Sequence, residues 1–81
     1  MTKEDMEIRD FCLEQMSILK SVLKEMFVLQ ENCEKLQIKD ISDQAQKKKV
    51  DDFYKLLIKT EISASDAAAF IREFYCTKYV N

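Results

Sequence analysis

The chain contains no glycine and no proline among its 81 residues. Average usage would supply roughly ten of the two together. Tight hairpin turns need backbone at positive φ, which glycine adopts at least cost, so a strand-rich fold is excluded and an all-α fold is implied. Histidine and tryptophan are also absent. Without histidine the commonest general base and the commonest zinc ligand are gone. Without glycine there is no phosphate-cradling loop and no calcium loop of EF-hand type. The acid pairs Glu4–Asp5 and Asp51–Asp52 fall on solvent-facing helical positions, with nothing to raise a carboxyl pKa. No catalytic residue, metal site or cofactor is therefore expected, and the chain reads as a non-enzyme.

Cysteine is sparse. Cys12, Cys33 and Cys76 are odd in number and too widely spaced for a structural zinc site or a disulfide framework. Each falls on or near an apolar helical face, so all three are expected to be reduced, buried and slow to react. Long hydrophobic runs are missing as well. The plain apolar stretches 26–29 and 67–71 are far too short to cross a membrane. No secretory signal pattern is present at the acidic, amphipathic N-terminus. A cytoplasmic location follows from these features.

What the chain does have is one long helical pattern, Lys3–Gln37. Leu, Met, Glu, Lys and Gln dominate it, and these side chains lose little rotamer freedom in a helix. About 35 residues make a rod of roughly 50 Å. At 100° per residue, Ile8, Phe11, Cys12, Met16, Ile18, Leu19, Val22, Leu23, Met26, Phe27 and Leu29 share one half of the wheel. A helix with one neighbour needs an apolar stripe about 100° wide. Here residues 8–29 present nearly twice that, and Leu13 and Val28 lie outside it. Read as heptads, Cys12, Leu19, Met26 and Cys33 occupy one core position, with Ile8, Gln15, Val22, Leu29 and Leu36 in the other. Coiled-coil-like packing in a helical bundle is the expected architecture.

Residues 38–42 break the period. Asp43, with Gln46 three positions on, has capping-box form and starts a second helix at about 44–60. Its apolar face is Val50, Phe53, Tyr54, Leu57 and Ile58, and its outer face includes Asp51, positioned for an i,i+4 pair with Lys55. Ser63 and Asp66 form a second start signal, which predicts a third helix at about 64–78. Ala67, Ala68, Phe70, Ile71, Phe74, Tyr75 and Tyr79 share its face. One domain, 1–81, is the expected organisation.

The net charge is −2 but uneven. Residues 1–34 hold eight acids and four bases; residues 35–59 hold seven bases and four acids. The basic run Lys47, Lys48, Lys49 opens a helix, where the macrodipole disfavours cations, so it is a candidate anion contact. This suggests two functions. The first is non-catalytic protein–protein interaction, as an adaptor, small chaperone or inhibitor, with a second copy or another helical protein as partner. Phe11, Leu13, Met16, Leu23, Phe27 and Val28 are the candidate interface, expected to pair helix one with its copy in an antiparallel homodimer. The alternative is a small nucleic-acid-binding regulator using Lys47, Lys48 and Lys49.

Overall fold

A computed structural model of the chain describes residues 2–80; Met1 and Asn81 lie outside the described residues. Two helices make the fold: α1, Lys3–Gln37, and α2, Gln44–Tyr79. They pack against each other as an antiparallel hairpin with extents of 62 × 19 × 15 Å. No strand occurs among the described residues.

Both helices begin on side-chain caps. Asp43 is extended and its carboxylate accepts from Ala45 N at 3.0 Å and Gln46 N at 3.3 Å. α2 therefore starts where the sequence signal puts it. At the other start, Thr2 Oγ1 accepts from Asp5 N at 3.1 Å. The Asp5 carboxyl is held below its ordinary 3.8, first by a side-chain hydrogen bond from Thr2 and then by Thr2 backbone and Lys78. Thr2 and Asp5 thus form a reciprocal capping box. α1 ends at Gln37, with Ile38 N–H bonded to the Glu34 and Leu36 carbonyls. The turn is built without any described residue at positive φ, so it needs no glycine.

The expected third helix is not separate. The chain runs without a break through residues 60–65, and two long helices replace one long and two short. The reason is local and tertiary together. Serine and threonine disfavour a helix interior by only a few tenths of a kcal/mol. Thr60 Oγ1 donates to Leu56 O at 2.8 Å, so its hydroxyl is satisfied inside the helix rather than capping a new one. Straight continuation also keeps Glu61, Ala64 and Ala68 half-buried against α1. A cap signal without a helix breaker beside it was outweighed by that packing.

The seam follows a heptad row that the sequence predicted and one that it did not. Cys12 and Met26 are buried, and Leu19 and Cys33 half-buried, as their row requires. The second row begins with Ile8 and Gln15 but continues through Leu23, Gln30 and Gln37. Val22, Leu29 and Leu36, expected there, are exposed. The four-residue step from Leu19 to Leu23 moves the mean spacing from 3.5 towards the 3.6 of a straight helix, which lets two rods stay in contact with less supercoiling.

Polar side chains therefore enter the seam, and those of Gln30, Gln37, Tyr54 and Tyr79 find partners across it. Gln30 is buried and its Nε2 donates to Glu61 Oε2 at 2.6 Å. Gln37 Nε2 donates to Asp51 Oδ1 at 3.0 Å, so Asp51 lies half-buried in the seam and not on the outer face with Lys55. Tyr54 OH donates to Glu34 Oε1 at 2.8 Å, and this bond, first among several causes, raises the phenol above its ordinary 10.0. Tyr79 OH donates to Asp5 O at 3.0 Å. Sliding one helix by a residue would unmake all four bonds at once. They fix the register as a single buried asparagine does in a coiled coil.

Candidate interaction face

Two helices can each bury one stripe. Among the described residues only Cys12, Met26, Leu57 and Gln30 are buried. The remaining apolar side chains divide between the two broad faces of the hairpin, and they divide unequally.

On one face, α1 contributes Phe11, Ile18, Val22, Leu29 and Leu36, which follow each other on one side of the seam at 100° per residue. The α2 side of the same face carries Phe53, Leu56, Thr60, Ala67, Phe70 and Phe74. The two rows meet: Phe11, Phe70 and Phe74, with Ile8, Cys12 and Ile71 beneath, line an apolar cleft of about 330 Å³. Phe70 is 72% exposed, Leu56 61% and Phe11 56%. Glu4 and Lys78 stand at one end of this face and Lys49 at the other. Glu73 borders Phe70 and Phe74, together with Thr77 and Lys78, while the row Phe53, Leu56, Thr60, Ser63, Ala67 holds no charged residue.

The opposite face is different. Met16, Lys20 and Leu23 share a groove of about 280 Å³ with Ala68 and Arg72. Phe27 and Ile62 are exposed there, in company with Arg9, Lys20, Asp51 and Arg72. Its apolar side chains are interrupted by charge along the whole length.

The six candidate interface residues are therefore not gathered into one patch. Phe11 lies on the uncharged face. Met16 and Leu23 are half-buried at the seam on the charged side, and Phe27 is exposed on that side. Leu13 and Val28 are exposed further round the back of α1. Phe53, Phe70 and Phe74 were assigned from sequence to the apolar faces of helices two and three, yet all three are exposed, as is Leu56, which was assigned to neither face. The signal that would have found them is the charge-free row. Only an unbroken α2 carries that row from Phe53 to Phe74 on one side.

Lys47, Lys48 and Lys49 are exposed in the first two turns of α2. Successive helical residues point about 100° apart, so three in a row fan out around the axis and form no common patch. The thiols differ from one another. Cys12 is buried, Cys33 half-buried and Cys76 exposed, so burial does not extend to the third as expected. Cys76 lies off the α2 stripe that meets α1. Among the described residues no group of His, Cys, Asp or Glu is arranged to hold a metal ion, and no helix is long and apolar enough to cross a membrane.

Comparison with family models, curated proteins and solved structures finds no match to this chain.

Proposed function

We propose that this protein is a non-catalytic protein–protein interaction module that works through the uncharged face of its hairpin. The observation that carries this reading is the joined apolar row around Phe11, Phe70 and Phe74, left in water beside a seam that already holds its own residues. Large contiguous apolar patches with polar rims mark interaction sites. Aromatic side chains at the centre of such a patch supply most of the binding energy when they are covered. The long, shallow, ridged surface suits another helical surface, because ridges of one helix pack into grooves of the next. Adaptor, small chaperone and inhibitor are the roles open to such a module. Free thiols suit a reducing, cytoplasmic setting. Nucleic-acid binding has weaker support, since its three lysines diverge.

Site-specific photocrosslinking tests the reading. A crosslinking amino acid placed at Phe70 should yield protein adducts in the native cells, and the same group at Ile62 should not. Equal adducts at both positions, or none at either, would contradict it. Binding to a nucleic acid that weakens steeply with salt would favour the lysine reading instead.

A further inference from the structure

We infer that the occupant of the uncharged face is a second copy of this chain. Each α1 then lies along the partner's α2, with like ends together, in a four-helix bundle. The inference rests on the reading of this face as a docking surface and names what docks.

Size permits it. The broad face of the hairpin measures 62 by 19 Å, more than the roughly 800 Å² per partner of a standard interface. Shape favours it. The Gln30–Glu61 bond sets Leu29 and Val22 of α1 abreast of residues 62–69 of α2. On the uncharged face that stretch of α2 offers only Ser63 and Ala67, with Thr60 just before it, while Phe53, Leu56, Phe70 and Phe74 lie beyond its two ends. The α2 row is therefore shallow in the middle, and the α1 row is bulky there. Laying α1 on the partner's α2 puts Val22 and Leu29 into that depression. Laying α1 on α1 and α2 on α2 would set bulk against bulk and depression against depression, leaving a void that costs stability.

Charge favours the same choice. The α1 rim of the face carries Glu7, Glu14 and Glu25 and no base. The α2 rim carries Lys49, Lys59 and Lys78 along with Asp52 and Asp66. With α1 on the partner's α2 and like ends together, Glu7 comes abreast of the partner's Lys78, which also reaches its own chain's Asp5 at 3.5 Å; Glu25 comes abreast of the partner's Asp66, so the attraction lies at the open end of the hairpin. With α1 on α1 in the antiparallel sense, Glu14 and Glu25 would face Glu25 and Glu14 of the copy, a repulsive pairing. This replaces the helix-one-on-helix-one dimer expected from sequence.

The test is a charge swap across the interface. Glu7→Lys and Lys78→Glu proteins are purified separately, checked for helicity by circular dichroism, mixed, and weighed by native mass spectrometry beside the unaltered protein. Each variant alone sets like charges against each other at two places; the mixed dimer restores opposite charges at both. The mixed dimer, equal at random pairing to the two self-paired dimers together, is expected to outnumber them by roughly threefold or more at low salt, and to return to equality at high salt. A dimer that mixes in binomial proportion at low salt would overturn the arrangement. An unaltered protein that stays monomeric at tens of micromolar would overturn the second copy as occupant. The Phe70 crosslinking result would then separately decide whether the face docks anything.

Discussion

The two broad faces of the hairpin are cut from the same helices and hold similar apolar side chains, yet only one keeps its charges to its ends and edges. Phe27 and Phe70 make the contrast concrete. Both are exposed phenylalanines, at 60% and 72%. Phe27 stands on the side of Arg9, Lys20 and Arg72; Phe70 stands in an apolar cleft with Phe11 and Phe74. Scattered exposed apolar groups are ordinary on any protein and need no explanation. A joined row without charge is not ordinary, because each of its members raises the free energy gained when one partner covers them all. What distinguishes an interaction face here is the company each side chain keeps.

The largest effect should separate the seam from the face. Leu57 is buried and Leu56, its neighbour, is 61% exposed on the uncharged face. Leu57→Ala is expected to cost about 2–5 kcal/mol in thermal unfolding, as buried leucine truncations do. Leu56→Ala should cost less than about 1 kcal/mol in a dilute, monomeric sample, and more as concentration rises. Equal costs at all concentrations would erase the distinction between seam and face.

A smaller effect probes the register that aligns the face. Gln30→Ala leaves the Glu61 carboxylate in the seam without its donor, at a cost of about 1–3 kcal/mol in chemical denaturation. Replacing both residues by leucine should recover that stability but loosen the register. Phe11 would then no longer be held opposite Phe70 and Phe74. Full retention of stability in Gln30→Ala would mean that the bond does not set the alignment.

The smallest effect contrasts titratable contacts with apolar ones. The Asp5 carboxyl has a folded pKa below its ordinary 3.8, chiefly through the hydrogen bond from Thr2. A depressed folded pKa means that the unfolded chain binds the proton first. Its stabilisation is therefore present above pH 3.8 and lost as pH falls through the lower folded value. Tyr54 has the opposite sign: raised above 10.0 first by its bond to Glu34, it contributes below pH 10.0 and is lost as pH rises through the folded value. Melting curves should thus soften at the helix-terminus end in acid and at the turn end in base. The stickiness of the uncharged face, measured by dye binding, should follow neither titration. Parallel loss of both would tie the face to the charges it is argued to exclude.

Much of this fold was legible in the sequence, and the failures have specific physical causes. α1 and its end at Gln37, the Asp43 cap and the row Cys12, Leu19, Met26, Cys33 all follow from local signals that tertiary packing reinforces. The supposed break after Thr60 does not exist, because a capping-box motif is permissive: it can start a helix only where something ends the previous one. The slip from Val22 to Leu23 was hidden because both are apolar, and only the positions of Gln30 and Gln37 in the seam reveal it. That slip matters for function. It turns Val22, Leu29 and Leu36 out of the seam and onto the uncharged face. The α2 half of the face was illegible for the other reason, since two separate short helices would have scattered Phe53, Leu56, Phe70 and Phe74.

The most direct test of the uncharged face uses matched phenylalanines in one sedimentation experiment. The unaltered protein, Phe27→Lys and Phe70→Lys are compared at the same concentrations, with helicity followed in parallel. The unaltered protein and Phe27→Lys are expected to sediment as dimers at tens of micromolar. Phe70→Lys should remain helical but weaken the dimer by at least about thirtyfold, the loss of one central aromatic anchor. Equal weakening by both substitutions, or a dimer indifferent to Phe70→Lys, would contradict the assignment of this face.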